Sequence, residues 1–347
     1  MSAPPRVTVA VVAYQSGDYL QACVDALAAQ TFTDLEAVVA DNASTDGSVE
    51  RLRLPDERFR VAPMGANLGF AAANNRVADL ARGEFLALLN PDAAPEPGWL
   101  AALIEAAGRW PQAAAFGSTQ LSLGDPRRLD GVGDVWHAAG VAWRAREGRS
   151  AELIPAEAET FSPCAAAALY RLTDWRDAGG FDERYFCYAE DVDLGFRLRL
   201  MGRASVQVPT AVVRHAGSAI SGRKSEFTVF HGHRNRIWTY VKDTPGWLFW
   251  ATLPYHLAVN AWLLVALGRQ GLIGPLWRAY VAAARGLPAV WSDRQRVQRL
   301  RQAPMTELAG AMAWSLNAIR RRDVIGGRLP IWNARLRAAM AAMAAEA

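Results

Sequence analysis

The stretch VTVAVVAY, residues 7–14, is a continuous run of apolar and β-branched residues close to the start of the chain. A run without alternating polar residues is typical of a β-strand that is buried on both faces. Three similar runs and two helix-forming segments follow, at residues 35–42, 59–64 and 84–90 and at residues 17–30 and 67–83. Strands that alternate with helices predict an α/β fold, in which a parallel sheet is covered by helices.

Polar side chains stand where two of these strands end. Asp41 closes the second strand and is followed by STDGS, residues 44–48, which carries turn and helix-start residues. Asn90 and Asp92 close the fourth strand. Ligands of open α/β sheets bind beyond the carboxyl ends of the strands, so this edge is the expected site. Taken singly, Asp41 is as well explained by a turn, and Asp92 by a turn or by a hard-metal site.

The next part of the chain is less regular. Residues 110–162 show no interpretable pattern, whereas residues 162–171 predict a strand and residues 191–201 a helix. A further strand is predicted to end at His215, which by itself is more often structural than a ligand. Acids crowd the start of the predicted helix at Glu190, Asp191 and Asp193. Such acids can complement the helix dipole, or one of them can be a catalytic base.

Composition indicates the cellular compartment and the kind of partner. The net charge is +4, with arginine concentrated in the last third, which favours an anionic partner such as lipid or nucleic acid. The three cysteines, Cys23, Cys164 and Cys187, lack metal-type spacing, as expected in a reducing compartment. The N-terminus carries no pattern typical of a secretion signal. We therefore expect a cytosolic catalytic part.

Residues 244–268 carry no charged side chain, and the segment is long enough to span a bilayer. Pro254, His256 and Asn260 interrupt it, and a single crossing would place the following arginines outside, against the positive-inside tendency. The sequence favours helices that lie in the cytosolic interface, with tryptophan at headgroup depth and arginine near anionic lipid. A spanning helix and a buried core helix are the alternatives. The interleaved tryptophans favour lipid over nucleic acid as the partner.

Six motifs occur in a fixed order: VTVAVVAYQSGDYLQACVDALAAQTF, VVADNASTDGS, NLGFAAANNR, LLNPDA, GGFDERYFCYAEDVDLGFRLRLMGR and VVRHAGS. Together they resemble the inverting family 2 glycosyltransferases of the GT-A fold, particularly the bacterial rhamnosyltransferase-like branch. The resemblance covers residues 6–218 and weakens through HRNRIW. It implies a GT-A nucleotide-sugar-binding domain with a mostly parallel sheet at residues 1–220. A helical membrane-associated region at 221–302 and a helical tail at 303–347 would follow, and the last helix, residues 329–347, is a candidate for homodimer contacts.

The resemblance also implies a donor side. Its nucleotide-sugar residues would be Tyr14, Asp41, Asn67, Gly69, Asn90 and Asp92. Asp41 looks like the residue that reads a pyrimidine. Asp92 looks like the last position of the DxD motif, which holds Mn²⁺ or Mg²⁺, and His215 would complete the metal shell. Asn90 departs from the family, because an aspartate is more usual there.

On the acceptor side, Asp191 resembles the general base, and Glu190 would orient the acceptor. Arg234 and Asn235 would contact phosphate or acceptor. These residue types suit the chemistry, because a metal can neutralise the leaving diphosphate and a carboxylate can take the proton of the attacking hydroxyl. We expect transfer of one sugar, from dTDP-L-rhamnose or a UDP-sugar, to a lipid-linked or cell-surface glycan. The enzyme would act at the cytoplasmic face of the inner membrane, without a nucleic-acid partner.

Other classes of protein fit less well. A sugar nucleotidyltransferase would place a glycine-rich basic loop after the first strand, where this chain reads YQSGDYL, and a dinucleotide-dependent oxidoreductase would show G-x-G-x-x-G. A processive polysaccharide synthase would carry several spanning helices and a Q-x-x-R-W-type motif. A catalytically inactive membrane-bound sensor or scaffold would not need both Glu190 and Asp191.

Overall fold

The computed structural model describes residues 4–217 and 225–321, apart from the side chains of residues 319–321. Its main feature is a ten-stranded sheet. The strands of that sheet are β1 (Val7–Ala13), β2 (Leu35–Asp41), β3 (Phe59–Pro63), β4 (Phe85–Leu89), β5 (Ala93–Pro95), β6 (Ala113–Ser122), β7 (Leu129–Gly131), β10 (Ala158–Thr160), β11 (Ala167–Arg171) and β12 (Ala204–His215). A separate hairpin consists of β8 (Asp134–His137) and β9 (Val141–Arg144).

Helices cover both faces of the sheet and make up most of the C-terminal part. They are α1 (Tyr19–Ala28), α2 (Gly69–Leu80), α3 (Trp99–Arg109), α4 (Leu172–Ala178), α5 (Glu190–Leu200), α6 (Glu226–Asp243), α7 (Gly246–Gly268), α8 (Ile273–Arg299), α9 (Met305–Ala311) and α10 (Leu316–Arg321). Two 3-10 turns lie at Ala151–Leu153 and Glu183–Tyr185.

The sheet confirms the predicted architecture and adds an antiparallel element. The first four strands are parallel in the order β3-β2-β1-β4. The strand β11 runs antiparallel between β4 and β6, and β6 pairs parallel with β12. Every residue of β1 is buried, because alternate side chains enter two separate cores, with Val9 on one face and Ala10 on the other. The result is a mixed, mostly parallel α/β sheet.

Two local expectations differ from the structure. Residues 110–162 contain β6, a ten-residue strand in the middle of the sheet. Its sequence, AAAFGSTQLS, lacks the β-branched run that marks a strand, and its structure comes from pairing with β11 and β12. Residues 44–48 start no helix, and the connection from β2 to β3 consists of turns and irregular chain.

The C-terminal helices pack directly on the sheet domain. A buried cluster joins Trp136 of the hairpin and Phe196 of α5 to Tyr240, Leu248 and Met312 of the C-terminal part. The division of the chain at residues 220 and 302 stays a prediction. Most of the predicted tail, including the Ala-rich end at residues 329–347, lies outside the described residues.

Helix α7 attaches to the hairpin through the polar residues that interrupt its apolar sequence. The His256 imidazole Nδ1 lies 2.9 Å from the Ala139 carbonyl oxygen. Arg236 of α6 donates to Asn260 Oδ1 at 2.5 Å and to the Gly140 carbonyl oxygen at 3.1 Å. Within residues 4–217 and 225–321, α7 is the one helix long and apolar enough to cross a membrane, and only 22% of its most apolar window is buried. That exposure does not fit a buried core helix.

Candidate active site

The strand register brings the predicted nucleotide residues to one edge of the sheet. Ala13 of β1 pairs with Asp41 of β2, and Val11 of β1 pairs with Leu89 of β4. Tyr14 therefore leaves β1 next to Asp41, and Asn90 leaves β4 on the other side of β1, with neighbouring strands roughly 4.8 Å apart. Asp41 Oδ1 accepts a hydrogen bond from the Ser44 backbone N–H at 3.0 Å, which fixes this carboxylate at the strand end.

A buried asparagine that the sequence analysis did not single out organises the start of α2. Asn42 Nδ2 donates to Asn67 Oδ1 at 2.9 Å, and Asn42 Oδ1 accepts from the Leu68 backbone N–H at 2.8 Å. Asn67 Oδ1 also accepts from the Gly69 backbone N–H at 3.0 Å. Asn42 follows the strand directly, so its position next to Asp41 was the signal available in the sequence.

The predicted metal ligands meet at the ends of β4 and β12. His215 Nε2 lies 3.3 Å from Asp92 Oδ1 and 3.3 Å from Asn90 Nδ2. On the other side of the ring, His215 Nδ1 lies 2.7 Å from Asp130 Oδ2, and Arg144 pairs with that same carboxylate. Burial lowers the pKa of His215, but the hydrogen bonds to Asp130 and Asp92 outweigh this effect and raise it. Asp130 and Arg144 were not identified from the sequence.

This arrangement fits a divalent cation. Metal-binding histidines commonly donate one ring N–H to a carboxylate, which fixes the tautomer and turns the other nitrogen toward the ion. Here Asp130 is that carboxylate, and Nε2 faces the Asp92 carboxylate in a buried setting. Carboxylate and imidazole donors suit Mn²⁺, and the carboxylate also suits Mg²⁺. The fit supports Asp92 and His215 as ligands, and their role stays a prediction.

The backbone of residues 165–166 connects Asp191 to the donor side of the site. The Asp191 Oδ2 accepts from the Ala165 N–H at 3.0 Å, and its Oδ1 accepts from the Val192 N–H at 2.8 Å. The next carbonyl, that of Ala166, accepts from the Asn90 N–H at 2.8 Å. The candidate base is therefore fixed relative to the end of β4, where Asp92 lies.

Three carboxyl groups gather around this position. Burial, together with the charge of Asp191, raises the pKa of Glu190 well above its usual value, and burial raises the pKa of Asp191 itself. Asp134 is also buried, and burial and the Asp191 charge raise its pKa strongly. Ligand atoms of Asp134, Cys164 and Asp191 lie within 4.8 Å of one another, so they form a second candidate cation group. A cation there would occupy the carboxylate of Asp191, the predicted general base.

The third acid of the predicted cluster has a structural role. Asp193 is fully buried and pairs with Lys242 at 2.5 Å and with Arg197 at 2.7 Å. Tyr185 Oη donates to Asp193 Oδ1 at 3.0 Å. Burial raises the pKa of Asp193, but the Arg197 and Lys242 charges outweigh it and lower the pKa. At the start of α5, Asp191 is therefore a partly buried candidate base, whereas Asp193 belongs to an internal ion pair.

Replacing Lys242 tests that internal pair. We expect Lys242→Met to lower the free energy of unfolding by about 3–5 kcal/mol, because it removes one of the two cations that pair with the fully buried Asp193. Urea unfolding followed by circular dichroism measures the loss. Arg278→Met is the control, since Arg278 pairs with Glu226 at 2.6 Å with both side chains more than half exposed, and it should cost less than about 1 kcal/mol. Equal unfolding midpoints for the two variants would contradict the structural role of the Lys242 pair.

Arg234 and Asn235 lie beside the loop that precedes α5. Asn235 is fully buried, and its amide is hydrogen-bonded to backbone carbonyls of that loop. Arg234 donates to the Tyr185 carbonyl oxygen at 3.0 Å, and its guanidinium carbon lies 4.6 Å from the centre of the Trp238 ring. Direct contact of the Asn235 amide with phosphate or acceptor would require this loop to move.

Comparisons with known proteins show the family of the chain. The family model "Glycosyl transferase family 2" matches residues 8–171. The chain is 32% identical over 286 residues to N-acetylglucosaminyl-diphospho-decaprenol L-rhamnosyltransferase of Mycobacterium tuberculosis, covering 74% of this chain and 92% of that protein. It is 30% identical over 225 residues to the O-antigen biosynthesis protein RfbC of Myxococcus xanthus, covering 62% of this chain and 18% of that protein.

Two solved structures share the fold at low identity. The mannosyltransferase PcManGT from Pyrobaculum calidifontis, in complex with GDP-Man and Mn²⁺, matches with a TM-score of 0.52 at 19% identity, covering 86% of each chain. GalNAc-T7 with UDP, GalNAc and Mn²⁺ matches with a TM-score of 0.57 at 14% identity, covering 70% of this chain and 48% of that one. The chain therefore belongs to glycosyl transferase family 2 and is a glycosyltransferase with a GT-A-like fold.

Proposed function

We propose that the enzyme transfers a single L-rhamnose from dTDP-L-rhamnose to a hydroxyl of a lipid-linked glycan, with inversion at the anomeric carbon. The observation that carries this proposal is the hydrogen-bonded connection from Asp191 through residues 165–166 to Asn90, which holds a carboxylate near the donor edge. The name of the mycobacterial relative supports a rhamnosyl donor and an N-acetylglucosaminyl-diphospho-polyprenol acceptor. A UDP-sugar is the alternative donor.

The roles follow from the positions of the side chains. Tyr14 and Asp41 hold the nucleoside at the ends of β1 and β2, and Asp92 and His215 would hold a divalent cation. The cation, when bound, offsets the negative charge that develops on the departing nucleoside diphosphate. Asp191 accepts the proton of the acceptor hydroxyl as that oxygen attacks from the face opposite the leaving group. A raised pKa makes Asp191 a stronger base than an exposed aspartate.

The donor is identified by a small panel. We expect metal-dependent nucleotide release from dTDP-L-rhamnose in the presence of a lipid-linked acceptor, and weaker release from UDP-glucose, UDP-galactose or GDP-mannose. The pyrimidine preference rests on Asp41, whose carboxylate is fixed at the strand end. Preferred turnover of GDP-mannose would contradict this role of Asp41.

The pH dependence follows from the protonation state of the base. Asp191 must be ionised to accept a proton, so activity should rise as pH increases through its pKa. Because burial raises that pKa, the acid limb of kcat/KM should lie above the ordinary aspartate value of about 3.9. Steady-state kinetics across the acid range measure the limb. A rate that stays on its plateau below about pH 4 would contradict the assignment of a buried carboxylate base.

Membrane association is supported by the outer surface of α7 and α8. Large side chains exposed to solvent on these helices include Trp247, Trp250, Tyr255, Trp262, Trp277 and Trp291. The opposite side of α7 is held to the protein by His256 and Asn260, so lipid cannot surround the first half of this helix. This geometry supports a helix lying in the interface at the cytoplasmic face of the membrane, rather than one crossing it.

The double variant Trp250→Ser/Trp262→Ser tests this surface. Both side chains are more than half exposed, so the change should leave folding intact and remove apolar area available to lipid. We expect binding to anionic vesicles, measured by sedimentation, to fall by about tenfold or more, at roughly 25 cal/mol per Å² of apolar area. Leu80→Ser, at an exposed position on α2, is the control. Unchanged sedimentation of the double variant would rule out this face as the lipid contact.

A further inference from the structure

The loop before the catalytic acids has an unusual backbone. Phe186, Tyr188 and Ala189 have φ values of 65°, 70° and 65°, in the left-handed region that residues with side chains rarely adopt. Three such residues stand within four positions, immediately before Glu190 and Asp191. A backbone of this kind persists only where the surroundings hold it, and such segments cluster at functional sites.

Hydrogen bonds to Asn235 of α6 stabilise much of this backbone conformation. The Asn235 Nδ2 lies within hydrogen-bonding distance of the carbonyl oxygens of Tyr185 at 2.9 Å, Cys187 at 2.8 Å and Tyr188 at 2.7 Å, which share its two N–H groups. Its Oδ1 accepts from Arg234 Nε at 2.9 Å, so the amide is engaged on both sides. The side chain is fully buried, where lost hydrogen bonds are not replaced by water.

The other side of the same loop touches the donor side of the site. The Phe186 carbonyl oxygen accepts from the Ala71 backbone N–H at 3.0 Å, in the first turn of α2. Gly69 has a φ of +80°, and a Cβ added there would lie 2.4 Å from the Phe186 ring. Residues 185–189 are therefore held between α2, which carries the donor-side Gly69, and α6.

We propose that Asn235 is a positioning residue, which holds residues 185–189 in the one conformation that aims Asp191 at the acceptor hydroxyl. The proposal rests on the proposed function and replaces the expectation that Asn235 touches phosphate or acceptor. It also assigns α6 a part in the catalytic site, although α6 lies beyond the residues that the family model matches. A misplacement of about 1 Å in a reacting group can lower the rate by roughly 10²-fold, so a loosened loop has a large kinetic effect.

The kinetic test compares Asn235→Ala with Asn75→Ala. Asn75 is the matched control, because its amide also holds backbone, at the Phe181 N–H and carbonyl at 2.9 Å each, and its other hydrogen bond goes to Glu183 at 3.2 Å, outside residues 185–189. For Asn235→Ala we expect kcat to fall by about 10²-fold, with nucleotide affinity within about threefold of wild type. The acid limb of its kcat/KM profile should also be displaced from its wild-type position. For Asn75→Ala we expect kcat within about threefold of wild type. A higher acceptor KM at unchanged kcat in Asn235→Ala would overturn positioning in favour of direct acceptor contact.

A second readout is independent of the sugar-transfer reaction. Cys187 lies in the loop that Asn235 holds, residues 185–189, and is partly buried, whereas Cys23 and Cys164 are buried. We expect a water-soluble thiol reagent to label Cys187 at least about tenfold faster in Asn235→Ala than in wild type or Asn75→Ala, located by peptide mass spectrometry. Equal labelling rates would contradict the proposal that Asn235 holds this loop, even if activity fell. If Cys187 is labelled faster in Asn235→Ala although the wild-type enzyme transfers no sugar, Asn235 still holds the loop and the proposed function is rejected.

Should Asn235→Ala fail to fold, Asn235→Asp preserves the shape and the same two measurements apply. The carboxylate cannot donate to the three carbonyls, so faster labelling and lower kcat are again expected. Retention of wild-type kcat and labelling in Asn235→Asp would overturn the proposal.

Discussion

Replacement of Asp191 by asparagine is expected to lower kcat by a factor on the order of 10²–10⁴, the usual contribution of a positioned general base. The amide cannot accept the proton of the acceptor hydroxyl. The side-chain shape is kept, and its oxygen can still accept from the Val192 N–H. Nucleotide binding, measured by calorimetry, should stay near wild type, because the predicted nucleotide residues Tyr14 and Asp41 lie at the ends of β1 and β2. A loss of nucleotide binding together with activity would mean that Asp191 supports the fold of the donor site.

The neighbouring carboxyl provides the comparison for this variant. Burial and the charge of Asp191 raise the pKa of Glu190, which favours the protonated form of its carboxyl, and glutamine resembles that form. Glu190→Gln should therefore cost much less in kcat than Asp191→Asn, with its effect mainly on acceptor KM. The reverse order, with Glu190→Gln the more damaging, would assign the base to Glu190.

The second large effect is expected at the candidate metal ligands. Asp92→Asn should lower kcat/KM for the donor by about 10²–10³-fold, because the leaving diphosphate loses preorganised charge compensation. The variant should also need more Mn²⁺ for half-maximal activity. Asp130→Asn should act through His215 and weaken metal affinity by about 10–100-fold, the range found for carboxylates that orient a metal-bound histidine.

Arg214→Gln is the control for both variants. Arg214 is next to His215 on β12, but its side chain forms a half-exposed pair with Glu96 at 2.8 Å. Its replacement should leave Mn²⁺ dependence unchanged. An unaltered Mn²⁺ response in Asp92→Asn would contradict the ligand set, and loss of that response in Asp134→Asn would place the cation between Asp134, Cys164 and Asp191 instead.

The sequence predicts the parallel half of the sheet well because burial on both faces demands uniform apolar runs. The strands β1, β2 and β4 are such runs, and the edge positions of Asp41, Asn90 and Asp92 follow from where the runs stop. The strand β6 could not be found in this way, because alanine, glycine and serine have no marked strand preference. Its neighbours β11 and β12 determine its structure, and both come later in the chain.

The residues of the candidate site likewise include some that the sequence predicts and some that it does not. Motif order predicts Asp92, Asp191 and His215 as site residues, whereas it gives no signal for Asp130, whose partner His215 is 85 residues away in the sequence. Asp134 lies in the same unpatterned segment. Asn235 shows a different limit: a polar residue on a helix reads as a ligand contact until its hydrogen-bond partners are known.

The most direct measurement of the proposed reaction is product analysis. The enzyme is incubated with dTDP-L-rhamnose, Mn²⁺ and N-acetylglucosaminyl-diphospho-polyprenol in anionic vesicles, and mass spectrometry and NMR report the lipid product. We predict one added rhamnose per acceptor, inverted at the anomeric carbon, with equal release of dTDP, and none of these with Asp191→Asn. Several added sugars would indicate a processive synthase. Intact nucleotide binding without transfer from any donor in the panel would contradict the proposed transfer to this acceptor and favour a sensor of nucleotide sugars.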